Sequence, residues 1–187
     1  VVRDKTLMDK PRTIRYFNQK LKQRFSRKFG ERHYDFCDPR ILIEELIGDG
    51  EESPWDYRFF CYNGSQGFDC RLCLDTPDGL FSGYFDEAWN LTDGNLSPKK
   101  AGAKARPRNL SQMVEIAREL SGGIDFVRVD LYNLEGKIYF GELTFTTSAG
   151  FKVYENPALN ALRNRMWELD RGNPMLYRDP AAVRAGR

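Results

Sequence analysis

The sequence predicts an α+β fold, because helical and strand patterns are mixed along the chain and the strand patterns form antiparallel hairpins. The clearest strands are residues 126–132 and 137–145, which alternate and are rich in β-branched and aromatic residues. A helix pattern with its own start and stop signals precedes them. With 187 residues, the chain is long enough for one domain or a pair of small lobes with a real core.

A basic helix is the first predicted element. Residues 13–28 place Ile14, Phe17 and Leu21 on one stripe, and lysines and arginines cover the remaining surface. Gly30 follows as a stop signal. The basic surface is either a solvated face, which is favoured, or a face directed at phosphates.

Strand patterns fill the next part of the chain. The near-continuous apolar run at residues 41–47 predicts a buried strand. Residues 56–62 form the next strand pattern, and the turn pair Asn63-Gly64 joins it to residues 68–74 as a hairpin. A further strand is predicted at residues 81–85.

A basic loop and a second helix come next. Residues 97–108 contain two prolines and the cationic side chains Lys99, Lys100, Lys104 and Arg106, which suits either a solvated connector, which is favoured, or a mobile cover over an anionic substrate. Asn109 is a good N-cap, with Gln112 placed to complete a capping box. The helix that follows ends at Gly122-Gly123.

The hairpin of residues 126–145 carries a possible site. A three-residue loop, Leu134 to Gly136, is expected to close it. That register places Arg128 opposite Glu142 and Asp130 opposite Phe140. One face then carries Arg128, Asp130, Glu142 and Thr144. Asp130 and Glu142 become diagonal neighbours with Cβ atoms about 7–8 Å apart, so they can hold a hard cation between them.

A solvated face with a cross-strand ion pair is the competing interpretation of that hairpin. Four large apolar side chains are expected beside the charges on the same face: Phe126, Tyr132, Ile138 and Phe140. Charged groups among apolar ones need partners or a metal, which favours a site. The polar segment Thr146-Thr-Ser-Ala-Gly150 follows directly, and its backbone amides suit an anionic substrate.

Composition excludes several classes of protein. The formal charge of +2 is too small to indicate a nucleic-acid partner. No apolar run approaches the roughly 20 residues of a membrane span, and no signal-type segment opens the chain. Neither GxGxxG nor GxxxxGK[ST] occurs, so a nucleotide site must be built in another way.

Cysteine and histidine chemistry is not favoured. Cys70-Arg-Leu-Cys73 is a lone CxxC within a strand pattern, whereas a zinc site needs a second pair. Reduced, partly buried thiols in the cytoplasm are the favoured interpretation. His33, the single histidine, has no nucleophile-elbow pattern beside it.

Five motifs, in order between residues 1 and 154, resemble the TupA-like branch of the ATP-grasp ligases, which serves teichuronopeptide biosynthesis. They are Ile41-Leu-Ile-Glu-Glu-Leu-Ile47, Asp56-Tyr-Arg-Phe-Phe-Cys-Tyr-Asn-Gly64, Tyr84-Phe-Asp-Glu-Ala-Trp89, Asp125-Phe-Val-Arg-Val-Asp-Leu-Tyr132 and Phe140-Gly-Glu-Leu-Thr-Phe145. The resemblance implies an ATP-grasp fold with mixed or antiparallel sheets and packed helices. Residues 1–47 would be the rest of the small lobe and the hinge, 48–179 the large lobe, and 180–187 a loose tail. The phosphate-clamping lysine and glycine-rich loop of such enzymes would lie before Val1.

The resemblance also implies site residues, with ATP and Mg²⁺ as cofactors. The hinge that meets adenine and ribose would be Glu44, Glu45, Leu46 and Ile47. Asp56 and Arg58 would lie beside the nucleotide. The magnesium ligands would be Asp130, Glu142 and Thr144, the last standing where many such enzymes have Asn. Arg128 would face the transferring phosphoryl group, and Ser148 and Gly150 the acceptor substrate.

The activity implied is an ATP-dependent carboxylate–amine ligase that works through an acyl phosphate. Its partners would be a carboxylate of a cell-wall or surface polysaccharide and an amine such as an amino acid. Two alternatives stay open: a non-catalytic module that binds a nucleotide or an anionic glycan, and a glycosyltransferase. The glycosyltransferase would place the same acids on a metal, but the short Asp-x-Asp pattern is missing from the Asp130 and Glu142 arrangement.

Overall fold

The computed structural model of the protein describes residues 2, 4–24, 26, 30–48, 54–63, 67–76, 79–86, 88–94, 105–150, 156–169 and 171–172. The chain divides into two compact units. Unit 1 consists of Val1–Ser53 and Thr146–Lys152, and unit 2 of Pro54–Phe145 and Val153–Arg187. Each is described separately below.

Unit 1 contains helix α1, Lys10–Leu21. It begins three residues before the predicted start, because Asp9 caps it by accepting a hydrogen bond from the Arg12 amide (3.0 Å) and Pro11 suits its first turn. Three short 3-10 helices, Lys5–Leu7, Arg32–Phe36 and Thr147–Gly150, also lie in this unit. The predicted helix ran on to residue 28, and residues 25 and 27–29 lie outside the described part.

The strand predicted at residues 41–47 is wrong. These residues have no regular secondary structure, and Leu42 and Ile43 are 80% and 90% exposed. A strand needs a hydrogen-bonded neighbour, and no strand of the described ranges pairs with this segment. An apolar run gives the hydrophobicity of a segment but does not identify the surface that will cover it.

Unit 2 is built on a six-stranded sheet in which every pair of neighbours is antiparallel. The strands are β1 Asp56–Tyr62, β2 Gly67–Thr76, β3 Gly79–Phe85, β4 Leu91–Gly94, β5 Phe126–Leu134 and β6 Lys137–Thr144. Their order across the sheet is β4-β3-β2-β1-β5-β6. Helix α2 is Leu110–Ser121 and helix α3 is Pro157–Met166. The predicted α+β class is confirmed.

The main core lies between α2 and one face of the sheet. The helix buries Leu110, Met113 and Ala117 along one stripe, against alternate side chains of the two central strands. From β1 and β5 these are Tyr57, Phe59, Cys61, Val127, Val129 and Leu131. Burying these side chains on one face leaves the intervening residues of β1 and β5 on the other face.

Asn109 begins α2 as predicted, but the capping box is wrong. Its side chain makes no cap hydrogen bond and instead donates to the Gly136 carbonyl (2.9 Å) and accepts from the Asn133 amide group (2.7 Å). Asn109 therefore ties the start of the helix to the turn of the β5–β6 hairpin. The helix ends at Ser121, with Gly122 as the C-cap.

Candidate functional site

The β5–β6 hairpin closes with a tighter turn than predicted. Glu135 and Gly136 form a two-residue loop, with φ angles of 51° and 92°. Positive φ at both positions is the requirement of the hairpin turns that match strand twist. The predicted three-residue loop is therefore wrong, and so is the register that was derived from it.

A β-bulge corrects the facing of the second strand. Leu131 pairs with Phe140, whereas the next residue of β5, Asp130, pairs with Glu142. Gly141 lies between them without a partner in the ladder, which is the definition of a bulge. Asp130 and Glu142 are therefore direct cross-strand neighbours, whose Cβ atoms are typically about 4.5–5.5 Å apart, and not the diagonal pair that was predicted.

The same bulge separates the charged residues from two of their predicted apolar neighbours. Phe140 pairs with Leu131 and Ile138 with Asn133, so both lie on the face covered by α2. Ile138 packs against the main core there. Phe126 and Tyr132 do share the face of Asp130, as the alternation of β5 predicts.

Three strands bring the charged side chains into one row. Arg58 of β1 pairs with Asp130 of β5, which pairs with Glu142 of β6. Arg128 lies two residues from Asp130 on the same face, and Asp56 two residues from Arg58. We call Asp56, Arg58, Arg128, Asp130 and Glu142 the charged cluster.

Arg128 connects the two acids of the hairpin. Its Nε and Nη2 donate to both carboxylate oxygens of Asp130, at 2.7 and 2.6 Å. Nη2 also donates to Glu142 Oε1 at 2.6 Å, and the Thr144 hydroxyl donates to the same oxygen at 2.9 Å. Two-point pairing of this kind is among the stronger charge-assisted interactions in proteins. Arg128 thus occupies the space between the two carboxylates.

Asp56 and Arg58 form the other half of the charged cluster. Arg58 Nε donates to Asp56 Oδ2 at 2.6 Å and lies 3.6 Å from Asp130 Oδ2. Asp56 Oδ1 is buried and accepts no hydrogen bond within the described part of the chain. A buried carboxylate oxygen in that state keeps a lone pair that can accept a hydrogen bond or bind a cation.

Burial and charge act in opposite directions on Asp130. Its side chain is only 4% exposed, and burial raises its pKa to about 6. The hydrogen bonds and charge of Arg128 pull that pKa down, and the neighbouring Asp56 raises it further. Asp130 is therefore mainly ionised at neutral pH. Glu142, by contrast, is 63% exposed and presents its second oxygen to solvent.

The two acids of the hairpin and the neighbouring Thr144 have the oxygen ligands that a hard cation prefers. Asp130, Glu142 and Thr144 supply carboxylate and hydroxyl oxygens, the ligand type that Mg²⁺ prefers. No three His, Cys, Asp or Glu side chains converge as a ready metal cage within the described ranges. The Arg128 guanidinium is already paired with both acids. These oxygen atoms fit a magnesium ion, and Arg128 would compete with the ion for the two carboxylates.

The remaining predicted site residues belong to unit 1. Glu44, Glu45, Leu46 and Ile47 lie in the irregular, mostly exposed segment described above. Ser148 lies in the 3-10 turn with φ 51°, beside Ala149 at φ 53°, and Gly150 follows at φ 78°. The Thr146 hydroxyl anchors the start of this turn by donating to the Glu31 carboxylate. The roles of these residues stay predictions.

Two features of the site escaped the sequence analysis. Gly141 was not recognised as a bulge residue, although a glycine inside a strand pattern is the usual signal for one. The link from Arg58 to Asp130 depends on β1 and β5 being neighbours, a long-range pairing that no local pattern predicts. The side chains of the CxxC pair, Cys70 and Cys73, lie outside the described part of the chain.

Comparison with known proteins identifies a family. A protein-family model described as TupA-like ATPgrasp matches residues 1–161. Neither the curated proteins nor the solved structures contain a match to the chain. Among the described helices, none has the length and apolar character that crossing a bilayer requires.

Proposed function

This chain belongs to the TupA-like ATP-grasp family, and we propose that it is an ATP-dependent carboxylate–amine ligase whose phosphoryl-transfer centre is the charged cluster. The observation that carries the proposal is the position of Arg128, with one nitrogen 2.6 Å from carboxylate oxygens of both Asp130 and Glu142. Phosphoryl transfer needs a cationic side chain and metal-binding acids close together, because the protein mainly positions the reacting groups and neutralises the charge of the phosphates.

In the proposed reaction, a substrate carboxylate attacks the γ-phosphate of ATP, giving an acyl phosphate and ADP. An amine then attacks the acyl carbon, and phosphate leaves as the amide forms. Asp130, Glu142 and Thr144 would hold Mg²⁺, which supplies charge neutralisation at the phosphates when bound. Arg128 would stabilise the negative charge of the transferring group.

Arg128 has to change partners in this scheme. Phosphate oxygens compete with Glu142 for the guanidinium, because Glu142 is well exposed and its bond to Arg128 is the more accessible one. Asp130, almost fully buried, would keep its bond to Arg128 Nε, while its Oδ2, which bonds the same Nη2 as Glu142, would be released together with Glu142. Release of Glu142 then frees an exposed carboxylate for a cation.

The proposed substrate class rests on the family resemblance alone. An amino acid joined to a carboxylate of a cell-wall or surface polysaccharide is the reaction that membership in this branch supports. Glu44 to Ile47 would meet adenine and ribose, Asp56 and Arg58 would lie beside the nucleotide, and Ser148 and Gly150 would meet the acceptor.

Acceptor-dependent ADP release tests the proposal. The purified protein is assayed with ATP, Mg²⁺, amino acids and acidic polysaccharide fragments, alongside Asp130→Asn and Glu142→Gln. Each substitution should reduce ADP release at least about 100-fold, the size of effect seen when a group that stabilises transition-state charge is removed. Glu115→Gln, an exposed acid on α2, is the matched control and should leave the rate unchanged. Unchanged turnover in both site variants would rule out the assignment.

A second function is favoured by one observation. Arg128 already satisfies both acids, as it would in a module that binds an anionic glycan or nucleotide without turning it over. Such a module would bind its ligand without Mg²⁺ and would release no ADP. The same assay therefore separates the two functions.

A further inference from the structure

We infer that Gly141 is the positioning residue of the charged cluster, because its bulge turns Glu142 onto the face that carries Asp130 and Arg128. The inference deepens the proposed function and rests on it for its chemical meaning. The geometric part stands on the strand register alone.

The register shows what the bulge does. From the turn to the Leu131–Phe140 pair, the hairpin is a regular ladder. Continued without interruption past Gly141, that ladder would set Glu142 opposite Val129 and Thr144 opposite Val127. Val127 and Val129 lie in the main core under α2, so Glu142 would be directed away from Asp130 and into apolar surroundings.

The bulge also sets the face on which Leu143 lies. Leu143 pairs with Val129 and packs against the main core in the observed register. A regular ladder would set it opposite Arg128 and so move it to the charged face. One inserted residue therefore corrects both faces of β6, placing the acid with the charges and the leucine with the core.

Only glycine fits at this insertion. A Cβ atom added to Gly141 would lie 2.9 Å from the backbone carbonyl oxygen of Asp130 and 3.2 Å from Tyr132 Cε2. The first of these atoms belongs to the backbone, which cannot rotate away as a side chain can. Glycine is needed because β6 approaches the backbone of Asp130 closely at this point. Any side chain at position 141 would push β5 and β6 apart at Asp130, which pairs with Arg128.

Two variants and one control test the inference. Gly141→Ala adds the offending Cβ, and deletion of Gly141 removes the inserted residue altogether. The deletion leaves a regular ladder in which Asp130 still pairs with Glu142 and Val129 with Leu143. If Gly141 served stability alone, both changes would destabilise the hairpin. The control is Gly122→Ala, where the added Cβ makes an ordinary contact of 3.4 Å with the Glu119 carbonyl oxygen.

The readout is the set of cross-strand NOEs in the β5–β6 hairpin, which needs neither ATP nor metal. We expect Gly141→Ala to lose the Asp130–Glu142 and Val129–Leu143 NOEs, while the deletion variant and Gly122→Ala keep them. Retention of both NOEs in Gly141→Ala would overturn the inference. If that variant does not fold, the deletion decides alone, and a shift of Glu142 to Val129 there would overturn it.

ADP release by the same proteins separates this inference from the proposed function. Misplacing a reacting group by about 1 Å can cost as much as 100-fold in rate, so Gly141→Ala should lose at least about tenfold while Gly122→Ala stays unchanged. Lost NOEs with full activity would support the geometric role of Gly141 and count against the charged cluster as the centre of the reaction.

Discussion

Two of the arginines that the structure describes are buried on one face of the sheet, and the two ends of that face hold them in different ways. At one end, Arg128 is held by the carboxylates of Asp130 and Glu142. At the other end, Arg163 of α3 lies over aromatic rings, its Cζ 5.4 Å from the centroid of Phe60 and 4.4 Å from that of Tyr84. We call the second group the aromatic cluster: Phe60, Tyr62, Tyr84, Phe126, Leu159 and Arg163.

The difference supports the proposal that the charged cluster is the end available for chemistry. Charge held by carboxylates can be exchanged for a ligand's charge, and Glu142 is open to solvent. Charge held against ring faces is fixed by packing, because Leu159 and Arg163 of α3 are themselves buried. The charged cluster is thus the exchangeable end of the face, and the aromatic cluster anchors α3 to the sheet.

Phe60→Ala should cause the largest loss of stability at either end. Phe60 is fully buried and supports Arg163, so truncation leaves a cavity and removes a cation–π partner. We expect the free energy of unfolding to fall by about 3–5 kcal/mol, equally at pH 5 and pH 8. Urea denaturation at both pH values measures this. A loss below about 1 kcal/mol would show that the aromatic cluster does not anchor α3.

Arg128→Met should cause the next largest loss, and this loss should depend on pH. Without the guanidinium, the ionised and buried Asp130 has lost its main partner, which costs about 3 kcal/mol at pH 8. Because Arg128 lowers the pKa of Asp130, its removal raises that pKa above about 6. At pH 5 Asp130 is then neutral, and the loss should shrink to less than about 1 kcal/mol.

The control for that measurement is Arg165→Met, at an exposed position of α3. It should change the free energy of unfolding by less than about 0.5 kcal/mol at either pH. An Arg128→Met effect that is the same at pH 5 and pH 8 would contradict the account of how charge is held at this end.

Asp130→Asn should remove a pH dependence that the unmodified protein shows. The pKa of Asp130 is raised from 3.8 to about 6 on folding, so the folded state binds this proton more tightly than the unfolded chain does. Stability contributed by this group is therefore present below about pH 4 and is lost as pH rises through about 6. The loss is roughly 2–3 kcal/mol, from the size of that pKa change. Between pH 4 and 7, the free energy of unfolding should therefore fall more steeply in the unmodified protein than in Asp130→Asn. Urea denaturation of both proteins measures this, and an identical pH dependence would contradict it.

Glu142→Gln should have the smallest effect on stability. The side chain is mostly exposed, and exposed ion pairs contribute little because solvent screens them. We expect a change below about 1 kcal/mol in the free energy of unfolding, in a variant whose ADP release is lost. A loss of several kcal/mol would mean that Glu142 serves the fold, as Phe60 does.

Local patterns predicted the elements of the site but not its register. The bounds of β1 were predicted from residues 56–62 alone, and Asp130 and Glu142 were placed on one face. That placement came from a register that was wrong in two ways, a loop one residue too long and a missed bulge, whose effects on facing cancel. Strand alternation is a strong signal, but a single inserted residue reverses it, and the pairing of β5 with β6 shows that insertion at Gly141.

The errors elsewhere have a common physical cause. The apolar run at residues 41–47 was read as a buried strand because hydrophobicity does not identify a partner. The Asn109 side chain was assigned to its own helix, yet it bonds to Asn133 and Gly136, 24 and 27 residues away in the chain. The structure of each segment depends on contacts between residues far apart in the sequence. The Asn109 side chain makes such contacts, and residues 41–47 have no pairing strand within the described residues.

Calorimetric titration of the protein with ATP, in the presence of Mg²⁺ and then of EDTA, measures whether Asp130 and Glu142 hold the metal at the phosphates. We expect removal of Mg²⁺ to weaken ATP binding at least about tenfold in the unmodified protein and in Glu115→Gln. Glu142→Gln should show the weaker affinity under both conditions. Equal affinity with and without Mg²⁺, or an unaltered magnesium dependence in Glu142→Gln, would contradict the claim that these acids hold the metal at the phosphates.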